Sequence, residues 1–360
     1  MCNENLEWLL PATQHYPSAG LAHNYVNPRK CTSGQIDGEG CVGFSQRYPY
    51  VPVWVYPPGS SPTVTTSIAL LNPHFIAGYA ELLARDVYRY RKCPSPGVEV
   101  SISDAVRANC KFRLFNQLDY LVSNAKEIAP GVDVWSVPQM NNSDAMVQSE
   151  IAYLFGRIAQ HEERDRGYWL DRMRRAGRAF DLFVSEGGLM YYEGDNEENW
   201  YVAAGPFERR PRFALNVMLL SLEFMHCIAR FLDSDASHVT NWQRRIDRGI
   251  RLLGRTQYNR VTLDDFHIAN HFGPGKHWSY YGFHWSDDAG DYLRSGPAWE
   301  NYHRIHARTL RTLKSYDSRG TLATYYDSWK WALTDTFVED GGTYVNREQS
   351  DAQERRSQAD

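Results

Sequence analysis

Apolar residues recur at helical spacing in eight separate stretches of the chain. The stretches cover residues 75–83, 112–122, 147–158, 169–183, 217–231, 242–253, 302–313 and 322–333. Side chains three and four positions apart share one face of a helix. The pattern therefore predicts eight amphipathic helices, and the first opens with Asn72 as N-cap and Pro73 at its first helical position.

The predicted helices fall into four pairs, which begin near residues 74, 144, 212 and 300. Each pair reads as helix, short link, helix, and no sequence identity between the pairs is visible. Helical hairpins of this kind close into an α/α toroid or continue as a solenoid. We expect an all-α fold, a partial (α/α) toroid of about four helical hairpins whose inner helices line a cleft.

Three kinds of segment lie outside the helical pattern. Residues 1–68 are rich in Pro, Gly and Tyr, which predicts an irregular or β-rich segment covering the cleft of a catalytic domain at 69–340. Long inserts at about 186–211 and 256–298 are expected at one end of the helices as functional loops. Residues 341–360 are polar and charged, which predicts a disordered tail.

The composition narrows the class of partner. The formal net charge of −4 gives no global basic field that would indicate nucleic acid, so an acidic polymer must bind a local patch. The chain has 23 Tyr and 11 Trp, and such rings stack on sugars in carbohydrate-binding grooves. A heavily aromatic core has the same composition. A homodimer is left open.

The sequence gives only a default expectation for the cellular compartment of the protein. No apolar run reaches the length of a membrane-spanning helix, and the N-terminus lacks the basic start and apolar middle of a signal peptide. We expect a cytoplasmic protein with no membrane partner, or a secreted one if the N-terminus has been trimmed. The six cysteines show no zinc spacing, and only Cys31 and Cys41 are placed for a local disulfide.

Proton-handling side chains crowd the start of the seventh predicted helix, where Tyr302, His303 and His306 lie within five residues. Residues three and four apart face the same way, so two of them can act together. Free N–H groups in the first turn of a helix favour a bound carboxylate. The alternative is that Tyr302 packs in the core while the histidines cap the helix or pair locally.

The first insert carries arginines beside tyrosine and glutamate, and its candidates for substrate binding are Tyr201, Glu208, Arg209 and Arg212. This combination suits a uronic acid, because guanidinium pairs with the carboxylate while a phenol or carboxyl group moves protons. A solvated charged loop is the alternative.

The second insert holds Tyr280 and Tyr281 with four of the chain's 12 histidines, which are His267, His271, His277 and His284. Their concentration near the seventh helix indicates a common site. A metal site through His267 and His271 is the alternative, although no third ligand is identified, and we predict no metal.

Several motifs occur in an order found in one enzyme family. They are NPHFIAGY at 72–79, NSDAMVQSEIAYLFGR at 142–157, GGL at 187–189, WY at 200–201, FALNVMLLSLEFM at 213–225, AWENYHRIH at 298–306 and DSWKWAL at 327–333. This order resembles the C-terminal catalytic region of the D-glucuronyl C5-epimerases, which act on heparosan-type polysaccharides. The resemblance covers roughly residues 70–335 at low identity and implies a partial α/α toroid.

The resemblance also implies catalytic residues. The tyrosine of the family's YHxxH motif falls on Tyr302, and a second catalytic tyrosine, in a YDLRH motif, falls on Tyr280 or Tyr281. The arginine of that motif has no counterpart, and His284 is the candidate to replace it. The family's EEYP stretch is also missing, because residues 202–206 read VAAGP, with Tyr201 and Glu208 as nearby substitutes.

The expected function is abstraction of the C5 proton of a uronic acid in an acidic polysaccharide, by a C5-epimerase that converts D-glucuronate to L-iduronate. Tyr302 and Tyr280 or Tyr281 are the expected proton carriers. The side chains expected to bind the carboxylate and to lower a tyrosine pKa are His303, His306, His284 and Arg209 or Arg212, with Trp299 also at the substrate. No cofactor is required. The alternatives are a uronate polysaccharide lyase and a non-catalytic glycan-binding toroid.

Overall fold

The structure is a computed structural model that describes residues 42–44, 52–54, 73–88, 104–137, 142–204, 211–255, 260–286, 288–334, 337–340 and 343–346. Among these residues the chain forms eight α-helices. They are α1 (Pro73–Tyr88), α2 (Asp104–Ser123), α3 (Ala145–His161), α4 (Arg166–Arg178), α5 (Leu215–Phe231), α6 (Ala236–Leu253), α7 (Glu300–Leu313) and α8 (Thr321–Trp329). The eight predicted helices are confirmed.

Two helices end before their apolar stripes do. α4 stops at Arg178, and Phe180 lies in a 3₁₀ turn that follows it. α8 stops at Trp329, and Leu333 lies in a second 3₁₀ turn. The tighter turn keeps the apolar side chains on the core side while the chain changes direction.

The helices pack as hairpins in chain order, α1 with α2, α3 with α4, α5 with α6, and α7 with α8. The first helix of each hairpin also packs against the first helix of the next, which makes a row of α1, α3, α5 and α7. Short links such as residues 232–235 require the two helices of a hairpin to run antiparallel. The described part of the protein is therefore mostly helical and built from stacked hairpins.

Helix α3 illustrates why the row forms. Asp144 precedes it, and its Oδ1 accepts hydrogen bonds from the backbone N–H of Met146 (2.8 Å) and Val147 (3.2 Å). Each such cap stabilises a helix by about 1 kcal/mol. Residues 145–159 are all buried, because neighbours cover the helix on several sides. A helix buried all round belongs in the centre of a fold.

Small antiparallel sheets supplement the helices, so the all-α expectation was incomplete. Their strands are β1 (Val42–Phe44), β2 (Pro52–Trp54), β3 (Lys126–Ala129), β4 (Val132–Val134), β5 (Ser136–Val137), β6 (Asn142–Asp144), β7 (Ala203–Ala204), β8 (Phe213–Ala214), β9 (His267–Ile268), β10 (Trp278–Ser279), β11 (Gly282–Ser286), β12 (Asp291–Arg294), β13 (Phe337–Asp340) and β14 (Thr343–Asn346). The sheets are β1–β2, β3–β4, β5–β6–β7, β8–β11–β12, β9–β10 and β13–β14.

The sheet β8–β11–β12 joins the second insert to the chain that follows the first insert. β11 pairs with β8 through Gly282 opposite Ala214 and Phe283 opposite Phe213. A Cβ at Gly282 would lie 2.6 Å from the carbonyl oxygen of Phe213, so only glycine permits this approach. An ion pair of 2.6 Å between Arg260 and Asp195 links the inserts again. Two segments distant in sequence thus form one layer.

The chain ends only partly match the predicted boundaries. Within 1–68 the structure describes the pair β1–β2, and the rest of that segment lies outside the described residues. Residues 343–346 form β14 paired with β13, so this part of the predicted disordered tail is a strand, and 347–360 lie outside the description. None of the described helices is long and apolar enough to cross a membrane.

The cysteines give a result that their spacing does not predict. Cys227, buried on α5, is disulfide-bonded. The predicted local pair, Cys31 and Cys41, lies outside the described residues.

Candidate functional site

A pocket of about 290 Å³ opens at the start of α7. Its lining is aromatic and polar and consists of Tyr281, Ser295, Gly296, Pro297, Trp299 and Tyr302. Trp299 is the residue before the helix and remains 39% exposed, whereas Tyr302 in the first turn is buried. A pocket with an accessible indole and two phenols has the surface that stacks on a sugar ring.

Hydrogen bonds to backbone carbonyls hold the pocket walls together. The N–H of Ala298 donates to the carbonyl of Ser279 at 2.8 Å, and the indole N–H of Trp278 donates to the carbonyl of Ala298 at 2.6 Å. The carbonyl of Tyr281 accepts from the N–H of Leu215 at 3.2 Å, which ties the pocket to the start of α5. The site is therefore built where α5 and α7 begin.

Tyr281 and Tyr302 form a contacting pair of phenols. Their ring centroids are 4.8 Å apart at 67°, and their hydroxyl groups share a hydrogen bond. Burial raises the pKa of both phenols, and the shared hydrogen bond raises that of Tyr302 further while it lowers that of Tyr281. Both are protonated at neutral pH, and Tyr281 is the first of the two to ionise.

Two charges outside the pocket lining act on Tyr281 in opposite directions. Burial has the largest effect on the Tyr281 pKa and the hydrogen bond with Tyr302 the next largest, after which the Asp144 carboxylate raises it and the Arg212 guanidinium lowers it. Arg212 is exposed, as a side chain that meets a substrate carboxylate would be. Sequence reasoning did not assign Asp144 to the site. In the sequence, Asp144 can be recognised only as the N-cap of a helix, and an N-cap indicates where a helix starts but not where a functional site lies.

The structure separates the two adjacent candidates of the second insert. Successive side chains of an extended segment point to opposite sides, so Tyr280 and Tyr281 cannot both face the pocket. Tyr281 lines it, whereas the Tyr280 ring lies under the Arg294 guanidinium, 5.2 Å from the centroid. Tyr281 is therefore the second candidate proton carrier.

His303 and His306 lie behind the pocket and are fully buried. The Nδ1 atom of each is 2.8 Å from the hydroxyl oxygen of Ser279, so one serine joins both imidazoles to β10. The His303 ring stacks on Trp278 with centroids 3.7 Å apart. The two rings therefore hold β10, the strand that precedes Tyr281, in place.

This placement differs from the one expected for histidines that bind a substrate carboxylate. Burial lowers the pKa of His306 to about 3 and that of His303 well below its ordinary range, so both are neutral. A neutral buried imidazole supplies no charge for a substrate carboxylate. Burial raises the pKa values of Tyr281 and Tyr302. The common contact of His303 and His306 with Ser279 resembles the alternative in which the histidines pair locally.

The remaining predicted residues are dispersed. Tyr201 is fully buried, and its hydroxyl donates to the carbonyl of Arg245 at 2.8 Å, so it belongs to the core and cannot reach a polymer. His284 is exposed on β11, and its Nδ1 lies 3.5 Å from the hydroxyl of Ser295 at the pocket rim. Glu208 and Arg209 lie outside the described residues.

The other histidines of the second insert contact aromatic rings. His267 accepts a hydrogen bond of 3.3 Å from the Trp329 indole and lies 4.9 Å from the His277 ring. His271 lies against Phe272, with ring centroids 4.6 Å apart. In the part of the chain that the structure describes, no three His, Cys, Asp or Glu side chains are grouped to hold a metal ion.

Comparison of the chain with protein-family models and with curated proteins gives no match. The pocket presents an accessible indole from Trp299, two hydrogen-bonded phenols and a nearby guanidinium from Arg212. An indole holds a sugar face, a guanidinium attracts a carboxylate, and a phenol donates or accepts a proton. These groups are suited to a uronic acid.

Proposed function

We propose that the protein abstracts the C5 proton of a uronic acid residue in an acidic polysaccharide. The observation that carries the proposal is the Tyr281–Tyr302 phenol pair in a pocket with Trp299. The order of motifs that resembles the D-glucuronyl C5-epimerases supports it. The partial α/α toroid belongs to the same proposal and is supported by the row of α1, α3, α5 and α7.

In this proposal Tyr281 is the base. It is the phenol that ionises first, because it shares a hydrogen bond with Tyr302 and lies near Arg212. The negative charge left by removal of the C5 proton spreads onto the substrate carboxylate, where a hydrogen bond and a guanidinium stabilise it. For epimerisation the Tyr302 hydroxyl would then have to give its proton to the other face of C5.

β-Elimination is a second candidate, and the contact between the phenols favours it. Epimerisation needs proton carriers on both faces of the sugar, with the ring between them. Tyr281 and Tyr302 are hydrogen-bonded to each other, which leaves no room for a sugar between their hydroxyls. A lyase uses one face only, since the C4 substituent leaves instead of a proton returning to C5. The glycan-binding toroid without activity remains the third candidate.

The disulfide at Cys227 supports export of the protein over the cytoplasmic default. Disulfides persist in oxidising compartments, where extracellular polysaccharides are also met.

The test is proton NMR of heparosan and related glucuronans incubated with the protein in deuterated water. Wild type should introduce deuterium at C5 or form an unsaturated uronate, and Tyr281→Phe and Tyr302→Phe should each slow the reaction by about 100-fold or more. Tyr280→Phe is the matched control, because it removes a neighbouring hydroxyl that does not line the pocket. Iduronate identifies an epimerase, and an unsaturated uronate identifies a lyase.

Absence of both C5 exchange and an unsaturated uronate with every glucuronan would exclude both enzymatic functions. Retained glycan binding without turnover would then leave the non-catalytic candidate. Equal loss of exchange in Tyr280→Phe would show that the pocket is not the site of proton transfer.

A further inference from the structure

β-Elimination from a uronic acid requires an acid as well as a base. The base removes the C5 proton, and the oxygen at C4 leaves with the electron pair of its bond to carbon. An alkoxide is a poor leaving group, so this oxygen leaves readily only when it receives a proton in the same step. A proton donor is therefore expected in the wall of the pocket, beside the base Tyr281.

Tyr302 is poorly suited to be this donor. Burial raises the pKa of its phenol, and the hydrogen bond that it shares with Tyr281 raises it further. For Tyr281, burial raises the pKa and the same hydrogen bond lowers it. Tyr302 is thus the phenol that keeps its proton and stabilises the ionised Tyr281. An acid that holds its proton this tightly gives it less readily to a leaving group.

Ser295 carries the other hydroxyl group among the described residues of the pocket lining. Beside the two phenols, the rest of that lining is a glycine, a proline and a tryptophan, whose side chains do not act as acids. The backbone N–H of Ser295 donates to the carbonyl of Gly282 at 2.7 Å, which continues the pairing of β11 with β12. This pairing holds the Ser295 hydroxyl at the pocket.

His284 contacts the Ser295 hydroxyl. Its Nδ1 atom lies 3.5 Å from the Oγ atom of Ser295. Residues two apart on a strand share a face, so His284 is the diagonal neighbour of Ser295 across Gly282. Hydrogen bonds that act in catalysis are often long without substrate and shorten when substrate binds. A serine hydroxyl is a weak acid by itself, and a protonated imidazole that donates to its oxygen allows it to give up its proton.

The two side chains differ in their access to solvent. Ser295 is partly buried and lines the pocket, whereas His284 is exposed and does not line it. The imidazole can therefore exchange protons with water while a sugar fills the pocket. Imidazole is also the side chain most often used to transfer protons near neutral pH.

We propose that Ser295 and His284 form a proton relay that protonates the leaving C4 oxygen in β-elimination, which rests on the proposed function and on its lyase candidate. Ionised Tyr281 takes the C5 proton, the electron pair of the C5–H bond forms the C4–C5 double bond, and the C4–O bond breaks. The leaving oxygen takes the hydroxyl proton of Ser295, and Ser295 takes a proton from Nδ1 of His284. Water then returns a proton to His284 and accepts the one held by Tyr281.

The test measures the formation of unsaturated uronate from heparosan by wild type, Ser295→Ala and His284→Ala. Each variant should lower kcat by about 100-fold or more and leave KM within about twofold, because the relay acts on the leaving group and not on binding. The second substrate is a uronate with p-nitrophenoxide at C4, which leaves without a proton. On this substrate both variants should stay within about threefold of wild type, which also shows that they are folded.

Added imidazole separates the two members of the relay. The His284 side chain is exposed, so imidazole from solution can occupy its place in His284→Ala and should raise the rate about tenfold. Ser295→Ala should not respond, because it lacks the hydroxyl that meets the substrate. His238→Ala is the matched control, since it removes an imidazole on α6 and should change neither the rate nor the response to imidazole.

Several results would overturn the relay while the proposed function stands. They are an equal loss on both substrates, a wild-type rate in either variant, a rise in KM at constant kcat, and no response of His284→Ala to imidazole. C5 exchange by wild type without unsaturated uronate would also reject the relay and retain proton abstraction. Absence of both reactions in wild type would overturn the relay and the proposed function together.

Discussion

Acidification should destabilise the protein through the buried imidazoles of α7. For His306 the change in the free energy of unfolding can be calculated. Burial lowers the pKa of this side chain to about 3, and its Nδ1 is 2.8 Å from Ser279. The folded protein therefore keeps His306 neutral in mild acid. In the unfolded chain the same imidazole has a pKa of about 6.5 and binds a proton.

The sign follows from proton counting. Between about pH 6.5 and pH 3 the unfolded state binds more protons than the folded state, so the free energy of unfolding falls as the pH falls. At pH 5, which is about 1.5 below the unfolded pKa, His306 alone removes about 2 kcal/mol relative to pH 8. His303 contributes in the same direction, because burial lowers its pKa as well.

The assay is urea unfolding at about pH 8 and pH 5 for wild type and His306→Gln, which keeps a hydrogen-bonding group but does not titrate. The loss of unfolding free energy on acidification should be smaller in His306→Gln by about 2 kcal/mol. His238→Gln is the control, because this imidazole on α6 is only partly buried.

The comparison depends on the difference between two pH values within each protein, so a uniform loss of stability in the variant does not affect it. An equal loss on acidification in wild type and His306→Gln would refute the neutral buried state of His306. The same result would remove the reason for assigning the α7 histidines to the core instead of the substrate.

Three shorter predictions follow from the same structure. Gly177→Ala should lower the free energy of unfolding, measured by chemical denaturation, by about 1–3 kcal/mol, because a Cβ would lie 2.3 Å from the Trp242 ring. Gly167→Ala is the control in the same helix. Its Cβ would meet nothing within 4 Å, so this variant should not lower the free energy of unfolding. Trp299→Ala should weaken the binding of short heparosan oligosaccharides, measured by calorimetry. The midpoint of thermal unfolding should not fall, since the side chain is 39% exposed. Unchanged affinity would contradict a contact between Trp299 and the sugar. The rate of C5 exchange should rise about tenfold for each pH unit between pH 7 and pH 9, because the base is the ionised form of Tyr281 and burial raises the pKa of this phenol above its ordinary value. A rate that does not change with pH would exclude Tyr281 as the base.

Much of the helical architecture could be read from the chain. Apolar spacing placed the eight helices, and Pro73 marked the start of α1. These features are local, because one helix face is set by residues three and four apart. The short strands were largely missed, since pairs of two to five residues carry too little alternation to be distinguished from loops.

The candidate site was only partly predictable. Tyr302 and Trp299 could be named because they flank the start of a helix in one short segment. The choice between Tyr280 and Tyr281 required the direction of each side chain, which depends on how β10 and β11 pair. Asp144 lies just before α3, and nothing local relates it to the pocket.

The sequence by itself determined where the helices form, how they pair along the chain and which residue types can handle protons. Only the tertiary structure decided which of those residues are in the pocket and in which protonation state. The physical reason is burial: His303 and His306 have the same covalent chemistry as any exposed histidine, but enclosure by Trp278 and neighbouring helices keeps them neutral. Protonation depends on what surrounds a group, and that is set by contacts between distant parts of the chain.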